Sequence, residues 1–162
     1  EEIKMRATFK VLSLLSICVF AFYAHAQMAA PGADSKALWK FITPDSPYTE
    51  WGQFSDHQGM QDGNAPHGVT HIVFANGIVL KDESSLPPYG SIIIKEIYNA
   101  AKELAAITVM YKVDGYNPEH GDWYWVKYTP DGQAGPEGKP DGCIGCHGPV
   151  ADNGWVFVHK FE

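Results

Sequence analysis

Apolar positions recur along this chain at two spacings. Over Ser35–Ile42 (SKALWKFI), Leu38, Trp39, Phe41 and Ile42 fall at near-helical intervals and Ser35 can cap the start, so the spacing predicts a short helix. Thr43–Pro66 is rich in Pro, Gly, Asp and Gln and reads as irregular surface chain, long enough to carry function. Five runs beyond it are β-branched or aromatic and read as strands: Val69–Phe74, Ser91–Tyr98, Ile107–Val113, Trp123–Tyr128 and Trp155–Phe161. Asn76-Gly77, Asp114-Gly115 and Asp131-Gly132 mark turns between them, and Asn99–Ala105 reads alternatively as a short helix. The expected fold is mainly β within the α+β class: a small antiparallel sheet with short helices packed on one face.

The first residues carry a different pattern. Lys4, Arg6 and Lys10 precede an uncharged apolar run, Val11–Tyr23, and Ala24-His25-Ala26 has the small-x-small form of a cleavage site. The run is short for a membrane span. The expectation is a secretory leader, with upstream residues, over 1–26, and a single domain over 27–162 that works in the periplasm or is otherwise exported.

Charge narrows the partners. The chain has a net charge of −7, and Arg6 is its only arginine, lying inside the leader. Phosphate recognition needs dense Lys and Arg, so nucleic acid is excluded as a partner.

Two cysteines remain after the leader, and the residue following them decides their reading. Cys143-Ile144-Gly145-Cys146-His147 has the form C-x-x-C-H. Thiols three positions apart can meet the two vinyl groups on one edge of a haem, and the next residue brings an imidazole under the iron. A disulfide would not require His147. A zinc site would require two more ligands at ordered spacing. A thioredoxin-type pair would sit early in a βαβ unit. The motif predicts one covalent haem c, bound through Cys143 and Cys146, with His147 as its metal ligand.

The other face of the iron is less determined. No methionine follows His147, and Met60 and Met110 fall in an irregular loop and inside a strand. An open sixth position is therefore expected, which suits small-molecule binding. Alternation along 91–98 puts Lys95 on one face with Ile93 and Ile97, and Ile92, Ile94, Glu96 and Tyr98 on the other. Lys95 is then either an edge lysine with its stem on apolar surface or a lysine set against the cofactor. His71 shares a face with Val69 and Val73, and is either a satisfied core histidine or a pocket histidine that moves a proton. His67, in the loop after Pro66, could line the same pocket.

These residues together resemble the cytochrome P-460 family, which includes the cytochrome c′-beta proteins. The likeness runs from about Trp39 to Phe161 and rests on Pro66-His67-Gly68, on Gly90-Ser91-Ile92-Ile93-Ile94-Lys95-Glu96, on Gly121-Asp122-Trp123-Tyr124-Trp125 and on the late CIGCH. It implies a mainly antiparallel β fold and a homodimer. It also implies that Lys95 corresponds to a lysine bonded to the haem macrocycle in the hydroxylamine-oxidising members. Those members carry a distal arginine where His71 stands here, and a carboxylate in the loop ahead of the motif, where Glu137 and Asp141 lie.

Three functions follow. The first is hydroxylamine oxidation, with nitric and nitrous oxide chemistry, through a Lys95-linked haem; His71 or Glu137 would act as general base, and a soluble acceptor such as another c-type cytochrome would take the electrons. The second is nitric oxide binding without catalysis, as in the cytochrome c′-beta branch. The third is electron transfer, which would need Met60 or Met110 on the iron.

Overall fold

The computed structural model describes residues 30–64 and 66–162. The leader read over 1–26 lies outside them. The order along the chain is helix α1 (Ser35–Lys40), strands β1 (Gln61–Asp62), β2 (Thr70–Ala75), β3 (Ile92–Tyr98), β4 (Leu104–Lys112), β5 (Trp123–Tyr128) and β6 (Ala134–Gly138), then helix α2 (Asp141–His147). The six strands form one antiparallel sheet in chain order, each bonded to the next.

The four long strands are the ones the β-branched and aromatic runs mark, and β5 has the expected ends. Their alternation builds two cores. On one face Ile92 and Ile94 of β3 pack with Ile107 and Val109 of β4, Tyr124, Val126 and Tyr128 of β5, Leu38 of α1 and Ile42 in the helical turn that follows it. On the other face Ile93, Met110, Trp123 and Trp125 pack with Val73, Phe54 and the C-terminal Val156 and Phe161. Helix α1 covers the first face. Cys143 of α2 packs on the second. The helices therefore lie on both faces rather than one, because the central strands are apolar on both sides.

Three local expectations are corrected, and one strand is added. Asp34, not Ser35, caps α1: its Oδ1 accepts from the Ala37 N–H at 2.7 Å, while Ser35 is already buried within the helix. Asn99–Glu103 is a turn closed by the Asn99 side chain, with Lys102 at φ 60, and β4 begins at Leu104. Trp155–Phe161 is not a strand. Trp155 sits at φ 68, and the Asn153 side chain takes the backbone groups a ladder would use, donating to the Val156 and His159 carbonyls and accepting from the Phe161 N–H. The sixth strand is instead Ala134–Gly138, a Gly- and Pro-containing edge whose sequence carries no β-branched residue.

Glu96, directed away from Lys95 as the alternation requires, is buried and accepts from two phenols, Tyr48 at 2.8 Å and Tyr98 at 2.7 Å. Burial first and the Glu96 carboxylate second hold both phenols protonated, the Tyr98 hydroxyl being pushed up to about 12.

His159 ties the C-terminal segment down. Its Nδ1 lies 2.8 Å from Asp56 Oδ1, its Nε2 lies 2.8 Å from the Glu83 carbonyl, and its ring stacks on Phe54 at 4.6 Å. Both partners are acceptors, so the imidazolium satisfies the site best. Burial alone would lower the His159 pKa, but the Glu83 carbonyl and the Asp56 carboxylate outweigh it and raise the pKa above 6.5. A raised folded-state pKa gives stability that is complete below the unfolded value and is lost as pH rises through the folded one. Urea unfolding from pH 5 to 9 should therefore show wild type ahead of His159→Gln by most at the acid end, with the gap closing as pH rises; a gap that widens with pH would refute the assignment.

Candidate haem site

Between the second face of the sheet and α2 lies a cavity of about 460 Å³. Its floor is a cross-strand arrangement. Val73 pairs with Lys95 and Lys95 with Thr108, which in turn pairs with Lys127, so one row of the sheet places two lysines on the cavity side. Ile93, Met110 and Trp125 form the next row. The opposite wall carries Cys143, Cys146 and His147 from α2, and Val156, Phe157 and Val158 from the C-terminal segment.

His147 is held in one orientation. Its Nδ1 donates to the Trp155 carbonyl at 2.7 Å, which fixes the tautomer and leaves Nε2 bare for a metal. Trp125 and Phe157 flank the ring at centroid distances of 4.7 and 5.0 Å. The left-handed backbone at Trp155 and the Asn153 bonds beyond it place that carbonyl. Burial, partly opposed by the Trp155 bond, lowers the His147 pKa, so the imidazole is neutral as a ligand must be.

The cysteines are free, and burial raises the Cys143 thiol. A redox pair needs a depressed thiol, so the disulfide-exchange reading loses support.

Lys95 is half-buried on the cavity floor with no carboxylate bonded to it among the described residues. Burial lowers its pKa. The histidines around it respond to its charge. His67 is pushed down to about 4 by burial first and then by Lys95, and His71 to about 4 by burial, Lys95 and His57. His57 is lowered by burial and Lys95 against the pull of Asp56.

The two predicted proton-transfer residues fare differently. His71 is buried on the cavity-side face of β2, a diagonal neighbour of Lys95, but does not line the cavity; its Nε2 lies 2.8 Å from His57 Nε2. Only one of the two Nε2 atoms can carry the hydrogen between them. His71 Nδ1 is buried without a partner. A buried bare acceptor costs less than a buried unmatched donor, so His71 donates and His57 accepts. Glu137 is exposed on β6 opposite Val126, whose side chain belongs to the first core; burial raises Tyr116, Tyr124 and Tyr128 on that face, and the Glu137 charge adds to it. The sheet therefore separates Glu137 from the cavity, and it cannot serve there as a base. Met110 is buried in the floor and Met60 is exposed. His57 was not singled out in the sequence; only its pairing with His71 across a long loop marks it.

The cavity suits a flat apolar group bearing carboxylates. Its volume falls in the usual ligand range, its walls are aliphatic and aromatic, and Lys95 and Lys127 supply positive charge. Trp125 Nε1 and His67 Nδ1, on residues of the same walls, are buried polar atoms without partners. The C-x-x-C-H helix thus lies against one face of an antiparallel sheet, packed on it through Cys143 and facing the cavity with His147. Residues 46–158 match the model of the Cytochrome P460 family, and the chain belongs to that family. It is thus a haem-binding cytochrome. No curated protein matches it individually.

Asn153 is the hinge of this wall. Asn153→Ala removes three bonds from the segment that positions the Trp155 carbonyl, and should cost about 2–3 kcal/mol of unfolding free energy, checked by urea denaturation against wild type.

Proposed function

We propose that this protein is an exported mono-haem c-type cytochrome that oxidises hydroxylamine at an iron held by His147, with Lys95 bonded to the edge of the haem. The observation that carries the proposal is Lys95: an amine on an apolar floor, its pKa lowered by burial, with no carboxylate to pair with. A lysine left unpaired in a core is costly, and its position is explained if the amine serves the cofactor. Cys143 and Cys146 would hold the vinyl edge through thioethers.

When bound, the haem supplies a metal centre for a small nitrogenous ligand and a sink for its electrons. Two hydroxylamine molecules yield nitrous oxide, water, four protons and four electrons, the electrons passing to a soluble acceptor such as another c-type cytochrome. This chain's part is to receive the protons. His67 lines the cavity as a neutral imidazole at neutral pH and His71 lies behind it with a bare Nδ1, so imidazoles rather than Glu137 are the bases. Forming the Lys95 bond removes one hydrogen from the amine and one from the macrocycle edge. A peroxide takes both electrons and both protons and is reduced to water.

One observation favours a second reading. Among the described residues no aspartate or glutamate lines the cavity, and its walls are mostly apolar, which suits reversible capture of nitric oxide without turnover.

The reduced absorption spectrum separates the two. A Lys95-linked haem gives a Soret band far to the red of ordinary haem c, and Lys95→Arg returns it to the ordinary position and abolishes hydroxylamine-dependent acceptor reduction. An ordinary spectrum in wild type, with a stable nitric oxide adduct and no turnover, would replace the first reading by the second.

A further inference from the structure

Two imidazoles face the same cavity from opposite attachments. His147 comes from α2, with Nδ1 committed to Trp155 and Nε2 free. His67 comes from the loop between β1 and β2. Its Nδ1 is buried and unpartnered, and its ring lines the cavity. The loop is set down on β3 by Gly68 at φ 77; a Cβ there would stand 2.5 Å from Ile97 Cγ2 and 2.8 Å from the Tyr98 carbonyl. That close approach, with the His67 N–H donating to the Asn64 carbonyl at 2.8 Å, fixes the loop that carries His67 beside the cavity.

The separation of the rings is informative. Their centroids are 6.3 Å apart and their planes cross at 88°. This is wider than the 4.7 and 5.0 Å at which His147 packs on Trp125 and Phe157, and no hydrogen bond joins the two histidines. A metal–imidazole bond is about 2 Å, and a ring with bonds near 1.33 Å puts its nitrogen about 1.1 Å from its centroid. Two imidazoles trans on one metal therefore have centroids roughly 6.3 Å apart. The observed separation equals that distance.

We infer that His67 is the second axial ligand of the haem iron, trans to His147, in the resting protein. The position that the sequence leaves open is then closed by a histidine rather than by Met60, which is exposed, or Met110, which is buried among Ile93 and Trp125. Hydroxylamine or nitric oxide reaches the iron only when His67 leaves it. The inference rests on haem bound at His147 and not on which molecule is turned over.

The test is the ferric, haem-loaded full chain at neutral pH, by EPR and near-infrared magnetic circular dichroism. A low-spin iron is expected, with the charge-transfer band of two imidazoles and the strongly anisotropic EPR signal that crossed ligand planes produce. His67→Ala should turn high-spin and return to low-spin on adding imidazole, while Met110→Leu should stay low-spin. A high-spin wild type, or a low-spin one with the band of histidine–methionine or histidine–amine ligation, would overturn the assignment; so would a His67→Ala protein that stays low-spin. If His67→Ala does not fold, the wild-type band position still decides. A chain that takes up no haem would refute the haem reading itself, an outcome distinct from a haem protein of the wrong spin state.

Discussion

Strand β3 has to serve two interiors at once, and the placement of everything functional follows from that. Its side chains alternate by backbone geometry: Ile92, Ile94 and Glu96 enter the core under α1, and Ile93, Lys95 and Ile97 enter the face under α2. Each polar intruder is handled differently. Glu96 is matched by the Tyr48 and Tyr98 hydroxyls, so its burial is compensated. Lys95 receives no such compensation among the described residues. In the proposed reading the contrast, within two adjacent residues, separates a structural charge from one held for the cofactor.

The same face has an electrostatic character that bears on the chemistry. Lys95 and Lys127 line the cavity, no carboxylate joins them there, and the nearby imidazoles are held neutral by burial and by Lys95. In the proposed reading the cavity favours anionic groups, such as haem carboxylates, and keeps His67 and His71 able to accept protons. A β-sheet floor also fixes where Lys95 leaves the backbone, which is paired on both sides, with Val73 and with Thr108.

What was legible in the sequence divides along physical lines. The strands β2 to β5 were readable because β-branched and aromatic residues alternate in them, and the same alternation put Lys95 on its correct face. The CIGCH segment was readable because its chemistry is local. Strand β6 was not, because AGPEG has no strand-forming residue and owes its conformation to pairing with β5. The final WVFVHKF has strand composition, yet Asn153 and a left-handed Trp155 take its backbone groups away from any ladder. Glu137 was singled out through the family resemblance, as a carboxylate in the loop ahead of the motif; the register of β6 puts it on the face of the sheet away from the cavity. The facing of His67 and His147, and the His57–His71 pair, depend on where a long irregular loop folds back, which no local pattern encodes.

The account stands on a haem joined to α2 beneath a sheet floor. Peptide mass spectrometry of protein produced with c-type maturation tests that most directly. It predicts that the fragment containing Cys143 and Cys146 keeps one haem after denaturation, bonded through both sulfurs. Two free thiols on that fragment, with haem absent or washed out by denaturant, would contradict it.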